Sequence, residues 1–212
     1  MATVEEIKAA ALQHIAERGA ADLSIRGVAR EIGMSPAGLY RYFSGLEDLL
    51  TALLVDAYAE LADAVATAAA GPGDARERLR SAAKAYRAWA VSHPSRFLLI
   101  FGTPVPGYAA PEDGPTVQQN RRLGAAFLGL IAQGYVSGDL RIPPGPPATK
   151  AEEAYVADLG ILLPADRLGP AIGAWSAIHG MVTLEVLHQL AFLYPDAESF
   201  YSAEVDRIIG HW

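Results

Sequence analysis

The 212-residue chain contains no cysteine. That absence excludes a disulfide framework and any thiolate-bound metal. No run of about 18 or more uncharged apolar residues is flanked as a membrane span would be. Glu5 and Glu6 stand where a secretory leader would carry positive charge. The expectation is a cytoplasmic protein with no membrane partner. Cations are also scarce, with 17 Lys and Arg against 24 Asp and Glu and a net charge of −7. This balance argues against a general nucleic-acid coat, which needs a broad positive surface. There is no Gly-x-x-x-x-Gly-Lys, no His-Glu-x-x-His and no Gly-x-Ser-x-Gly, so no catalytic residue, metal site or cofactor is assigned. No internal repeat and no convincing alternation of a β-strand is found.

What is present is helical. Apolar residues make up 51% of the chain, enough for a sizeable core. Thr3-Val4-Glu5-Glu6 has the spacing of a capping box, and Ile7, Ala11 and Ile15 follow on one helix face up to Gly19. Ser24 is placed to cap a second helix over Ile25–Ile32. Ser44-Gly45-Leu46-Glu47 reads as another capping box. It opens a long helix to about Ala70, lined by Leu49, Leu50, Leu53, Leu54, Ala57 and Leu61. Further helices are expected over 74–92, 95–101, 116–137, 151–162, 166–193 and 197–210. Loops rich in Gly and Pro separate them over 102–115 and 138–149. The fold class is therefore all-α. The expected domains are 1–45, a three-helix helix-turn-helix, and 46–212, an antiparallel helical bundle.

The most specific stretch is Leu23–Phe43. Gly33 sits at a sharp turn, where glycine takes left-handed dihedrals without steric cost. Ser35 is placed as an N-cap and Pro36 as the first helical residue, which needs no amide donor. The helix expected over Pro36–Phe43 turns Leu39 and Phe43 inward and leaves Ala37, Gly38, Tyr40, Arg41 and Tyr42 outside. Small residues at 37 and 38 allow close approach of the backbone. The tyrosines and the arginine reach base edges and phosphates. Two helices joined by a glycine turn also occur far from any DNA, so the turn alone leaves both readings open. Across the first fifty residues Lys8, Arg18, Arg26, Arg30 and Arg41 face Glu5, Glu6, Glu17, Asp22, Glu31, Glu47 and Asp48. Such a head binds random DNA weakly and depends on a few placed contacts.

Several spaced features now agree at once: Arg18-Gly19, Ser24-Ile25-Arg26, Val28-Ala29, Gly33-Met34-Ser35, and Leu39-Tyr40-x-Tyr42-Phe43 before Glu47-x-Leu49. In these, over about Ile7–Leu54, the chain resembles the TetR family of transcriptional regulators. The resemblance implies three DNA-binding helices and a fourth leading to a domain for ligand binding and dimerisation. It further implies that Ser24 and Arg26 touch phosphates. Ser35, Ala37, Gly38, Tyr40 and Arg41 would face the major groove, and Tyr42 the backbone. Leu46 departs from the lysine common at that position, which removes one implied phosphate contact. Tyr86-Arg87-Ala88-Trp89-Ala90-x-Ser92-His93-Pro94 and Trp175-x-x-x-His179-Gly180 resemble a C-terminal subgroup named for its Trp-His-Gly signature.

In the C-terminal half, Trp175 and His179 lie four apart and share a helix face. They are candidate walls of an effector pocket, with Tyr86, Trp89, Phe97 and Phe101 closing it; ordinary core packing is the alternative for each. Glu185 falls between Leu184 and Val186, where a carboxylate is expensive unless paired. It is a candidate ligand contact. Glu185-x-x-His188 has the spacing of a di-iron bundle, but there is no second such pair. Leu184, Leu187, Leu190, Ala191 and Leu193, with Val205, Ile208 and Ile209, crowd the last two expected helices and suggest a homodimer through them. Two linked half-sites strengthen weak single contacts and imply a palindromic double-stranded DNA operator. The functional expectation is a repressor released by a small, mostly apolar effector. The alternative is a helical-bundle enzyme or small-molecule carrier.

Overall fold

The computed structural model describes residues 3–103, 105–110 and 114–212. Among them it contains ten α-helices, two single 3-10 turns and no strand. The chain divides into two compact units interleaved in sequence. The first comprises residues 1–60 and 93–120, and the second residues 61–92 and 121–212. The expected loop over 102–115 lies partly outside the described residues.

The first unit begins with α1 (Val4–Arg18). Thr3 Oγ1 accepts from the Glu6 amide at 3.2 Å and the Thr3 amide donates to Glu6 Oε2 at 2.6 Å, closing the capping box. Gly19, at φ +83, ends the helix. A single 3-10 turn over Ala20–Asp22 leads to α2 (Ile25–Glu31), capped by Ser24, and then to α3 (Pro36–Leu39), capped by Ser35. Ile7, Ala11, Val28, Ala29, Leu39 and Phe43 pack with Leu49, Leu50 and Leu53 of α4 (Leu46–Ala69) into one core. Each fully buried aliphatic side chain contributes about 1.5–3 kcal/mol. The unit also holds α6 (Pro94–Phe101) and the first turns of α7 (Pro115–Ser137).

The start of α4 differs from expectation by one residue. The Leu49 amide donates to the Gly45 carbonyl at 3.2 Å, so Gly45 is the N-cap and Ser44 lies outside the helix. The third helical position is then Asp48, not Glu47. Its Oδ2 accepts from the Ser44 amide at 2.9 Å and hydroxyl at 3.3 Å.

The second unit holds α5 (Ala75–Ser92), most of α7, α8 (Lys150–Leu159), α9 (Leu168–Val186) and α10 (Ala197–Gly210). Leu79, Ala83, Tyr86 and Ala90 of α5 are buried, as are Leu123 and Leu130 of α7, Ile178 and Val182 of α9, and Val205 and Ile209 of α10. The Tyr201 hydroxyl donates to the Ala83 carbonyl at 2.7 Å, and burial raises its pKa far above that of a free phenol. Arg76 donates to the carbonyls of Ile209 at 2.7 Å and Asp139 at 3.0 Å, tying the start of α5 to the end of α10.

Two helices stop earlier than their apolar pattern suggests. α8 ends at Leu159 because Gly160 turns left-handed, at φ +63. α9 ends at Val186 rather than near Leu193. The Gln189 amide donates to the Leu184 carbonyl and the His188 amide to the Glu185 carbonyl, both at 2.8 Å. This is a Schellman closure with His188 in the left-handed position, at φ +57.

Candidate nucleic-acid interface and aromatic site

The turn between α2 and α3 is a second Schellman closure. The Met34 amide reaches the Ala29 carbonyl at 2.8 Å and the Gly33 amide the Arg30 carbonyl at 3.3 Å, with Gly33 at φ +67. The backbone then enters α3, where Ser35 Oγ accepts from the Gly38 amide at 3.1 Å. The regular helix closes at Leu39, earlier than Phe43. Beyond it the amides of Arg41 and Tyr42 bond three residues back, to Gly38 and Leu39, which tightens the last turn.

Tyr40 is 54% exposed, and Arg41 and Ala37 are exposed beside it. Ser24, Arg26 and Ser35 are exposed as well. Gly38 and Tyr42 are only half-exposed. Tyr42 packs on the core, and a Cβ on Gly38 would lie 3.2 Å from Met34 Cε and 3.3 Å from Ser35 Oγ. The smallness of Gly38 therefore already serves the cap. Ser24 and Ser35 each use one lone pair as caps, accepting from Gly27 and Gly38, and each retains a hydroxyl hydrogen to donate. Among the described residues Arg26 and Arg41 form no ion pair.

Sequence reasoning missed the residue that braces this head. His14 is 2% exposed within α1. Its Nδ1 meets Glu31 Oε1 at 2.6 Å, and its Nε2 meets the Asp22 carbonyl and Oδ2 at 3.2 Å. Both ring nitrogens face acceptors, so both donate in the imidazolium form. The hydrogen bond to Glu31 is the main cause that raises the His14 pKa, against the opposing effect of burial. Gly27 makes room for the ring, since a Cβ there would lie 3.2 Å from His14 Cε1. The available signal was a histidine on the Ile7/Ala11/Ile15 face with acids nearby.

A small groove of about 100 Å³ lies beside Lys8, Leu12, Asp56 and Arg96. Its charges satisfy one another: Lys8 pairs with Asp56 at 2.7 Å and Glu5 at 3.3 Å, and Arg96 pairs with Glu60.

The second unit gathers Tyr86, Trp175 and His179. The Tyr86 and Trp175 rings meet edge to face at 5.2 Å, Trp175 stacks on His179 at 5.1 Å, and Phe127 joins at 5.9–6.1 Å. Tyr86 Oη lies 2.8 Å from His179 Nδ1. The Thr183 hydroxyl donates to the His179 carbonyl at 2.9 Å, leaving its oxygen to accept from His179 Nε2 at 3.4 Å. That arrangement puts the ring proton on Nε2 and has Tyr86 donate to Nδ1. Desolvation lowers the His179 pKa and favours this neutral ring. Trp89 is buried one turn beyond Tyr86 on α5.

The remaining sequence candidates separate from this cluster. Phe97 and Phe101 lie in the first unit, where their rings meet at 5.2 Å and Phe101 meets Tyr58 at 6.0 Å. Glu185 is held by Arg87, with Nε–Oε2 at 2.7 Å and Nη2–Oε1 at 2.6 Å. Both carboxylate oxygens are thus occupied, which answers the cost of burying the charge. His188 serves as the left-handed stop of α9, so the Glu185-x-x-His188 spacing has a structural cause. Val205 and Ile209 pack inside their own protomer, while Leu184, Leu187, Phe192 and Leu193 are exposed. Among the described residues no helix is long and apolar enough to cross a membrane.

A braced helix-turn-helix with an exposed tyrosine and arginine, on an otherwise all-helical chain, defines a DNA-binding transcriptional regulator. Known proteins agree. The family described as "Bacterial regulatory proteins, tetR family" matches residues 7–53, and "Tetracyclin repressor-like, C-terminal domain" matches residues 79–208. The chain belongs to the TetR family of transcriptional regulators and is not an enzyme. It is 37% identical over 185 residues to the HTH-type transcriptional regulator Rv1816 of Mycobacterium tuberculosis, covering 84% of this chain and 77% of that one. Mb1846 of Mycobacterium bovis matches to the same extent. The solved structure of regulatory protein SCO4313 has a TM-score of 0.78 at 34% identity, over 98% of this chain and 95% of that one. The TetR-family regulator PfmR of Thermus thermophilus shares the fold, with a TM-score of 0.68 at 20% identity over 96% and 97% of the two chains.

Proposed function

We propose that this regulator is a homodimeric repressor that binds a palindromic operator and is released by a small, mostly apolar effector. The observation that carries the DNA-binding part is the exposed Tyr40–Arg41 pair at the end of α3, held by the Ser35 cap and the core beneath. Ser24, Arg26, Ser35 and Tyr42 supply backbone contacts in this reading, and Ala37 and Gly38 allow close approach. The dimer rests on Leu184, Leu187, Phe192 at 80% exposure and Leu193 at 61%, an apolar group at the end of α9 and beyond it. The effector reading rests on the aromatic residues Tyr86, Trp89 and Trp175 with the neutral His179, all within the second unit. Effector binding releases DNA only through different affinities for two protomer arrangements.

Selection from random duplex DNA tests the reading. Enrichment of a palindrome is expected, and Tyr40→Ala then loses about 1–3 kcal/mol of operator affinity with the fold intact. Enrichment of no sequence, or unchanged binding by Tyr40→Ala, defeats it.

A further inference from the structure

A single ring faces both ends of α2. His14 of α1 is 2% exposed. Its Nδ1 lies 2.6 Å from Oε1 of Glu31, the last residue of α2. Its Nε2 lies 3.2 Å from both the carbonyl and Oδ2 of Asp22, just ahead of the Ser24 cap. A neutral imidazole donates through one nitrogen only. On losing a proton the ring therefore gives up one of these partners and turns a lone pair toward it. With the remaining proton on Nδ1 the entry to α2 is released, and with it on Nε2 the exit. No other cation compensates: among the described residues Glu31 and Asp22 form ion pairs only with His14. The other charges nearby are directed elsewhere. On α1, Arg18 is exposed and Glu17 accepts from Gln13 at 2.8 Å. On α2, Arg26 and Arg30 are exposed. Lys8 with Glu5 and with Asp56 of α4, and Arg96 of α6 with Glu60, occupy the groove beside Leu12, on the far side of α1.

We propose that His14 makes operator binding pH-dependent, the ring protonated on both nitrogens clasping the two ends of α2 in the arrangement that grips DNA. The inference rests on the DNA-binding reading above and adds a regulatory input to it. Ser24 caps α2 and Arg26 lies in its first turn, both read as phosphate contacts, and the far end leads through the Met34–Ala29 closure into α3. Releasing either end shifts those contacts or the entry to α3. The hydrogen bond to Glu31 raises the His14 pKa above its ordinary value of 6.5. The proton is therefore held at about pH 6 and lost as pH rises through the higher folded value, and affinity for DNA falls in the same direction. Linkage makes the effect reciprocal: DNA that favours the clasped form also tightens the hold of His14 on its proton.

Fluorescence anisotropy of the full chain tests this at constant ionic strength, with a duplex that the wild type enriches from random DNA at about pH 6. Wild-type affinity is expected to fall about fivefold between about pH 6 and about pH 8.5. His14→Gln carries no charge, so it should bind at the weaker level throughout and vary less than about twofold over that range. The wild type alone gives a second reading. NMR titration of the His14 ring should show a higher pKa in the complex than in the free protein. An equal pH dependence in the two proteins, or His14→Gln binding as tightly as the wild type does in acid, overturns the proposal. So does a His14 pKa that DNA leaves unchanged. Enrichment of no duplex overturns it together with the operator reading, whereas enrichment followed by pH-independent binding overturns the switch alone.

Discussion

His14 is where the folded state of the reading head depends most directly on a single proton. Replacing it with Ala removes hydrogen bonds to Glu31 and to the Asp22 carbonyl and empties a site that is 2% exposed to solvent. Hydrogen bonds involving a charged group contribute about 1.5–3 kcal/mol each. The carboxylates are not fully buried, however: Glu31 is 28% exposed and Asp22 60%. Water therefore recovers part of the loss, and the net cost at mildly acidic pH is about 2–3 kcal/mol. The pH dependence has a definite sign. The folded-state pKa is raised above its ordinary value, mainly by the hydrogen bond to Glu31. The stabilisation is thus fully present below the unfolded value of about 6.5 and is lost as pH rises through the higher folded value. Urea denaturation of wild type and His14→Ala at about pH 6 and about pH 9 reads this directly. The gap between the two proteins should be large at the lower pH and smaller at the higher. A gap independent of pH refutes the charged clasp and leaves only the packing of the ring.

Other substitutions probe the backbone and the buried ion pair. His188→Gly relieves a left-handed residue costing about 1–2 kcal/mol, less the entropy of glycine, and should raise stability by about 0.5–1 kcal/mol in thermal melts. Gly33→Ala meets open space yet keeps φ +67, so it should lose about 1–2 kcal/mol through the backbone alone. Arg87→Ala strands the Glu185 carboxylate and should cost about 3 kcal/mol, while Arg87→Met with Glu185→Leu should recover most of that loss in denaturant titration.

The caps were legible because they are local. Thr3, Ser24 and Ser35 each bond an amide three residues on, a relation visible in sequence. Gly33 was legible for the same reason. The partners of His14 and Glu185 were not, since they lie 17 and 98 residues away. Apolar spacing also does not mark where a helix stops. Leu184, Leu187, Leu190 and Leu193 continue the period, but a histidine takes the left-handed turn that glycine usually signals. At α4 the pattern was right and the register off by one, because Gly45 replaces Ser44 as the cap. The exposed set Tyr40 and Arg41 followed from Leu39 and Phe43 facing inward, whereas the half-burial of Tyr42 depends on packing that spacing does not record. The return of residues 93–120 to the first unit is a tertiary event with no local trace.

The acid that seals the start of α4 has a consequence for how the regulator is distributed in a cell. With Asp48 bonded to Ser44 and Leu46 next in line, that helix end offers the sugar–phosphate strand no cation. Each phosphate contact a protein lacks releases one counterion fewer on binding, which weakens its hold on an arbitrary stretch of chromosome. The pool free to search for its own site is correspondingly large, and occupancy responds to small changes in copy number instead of being buffered by the genome.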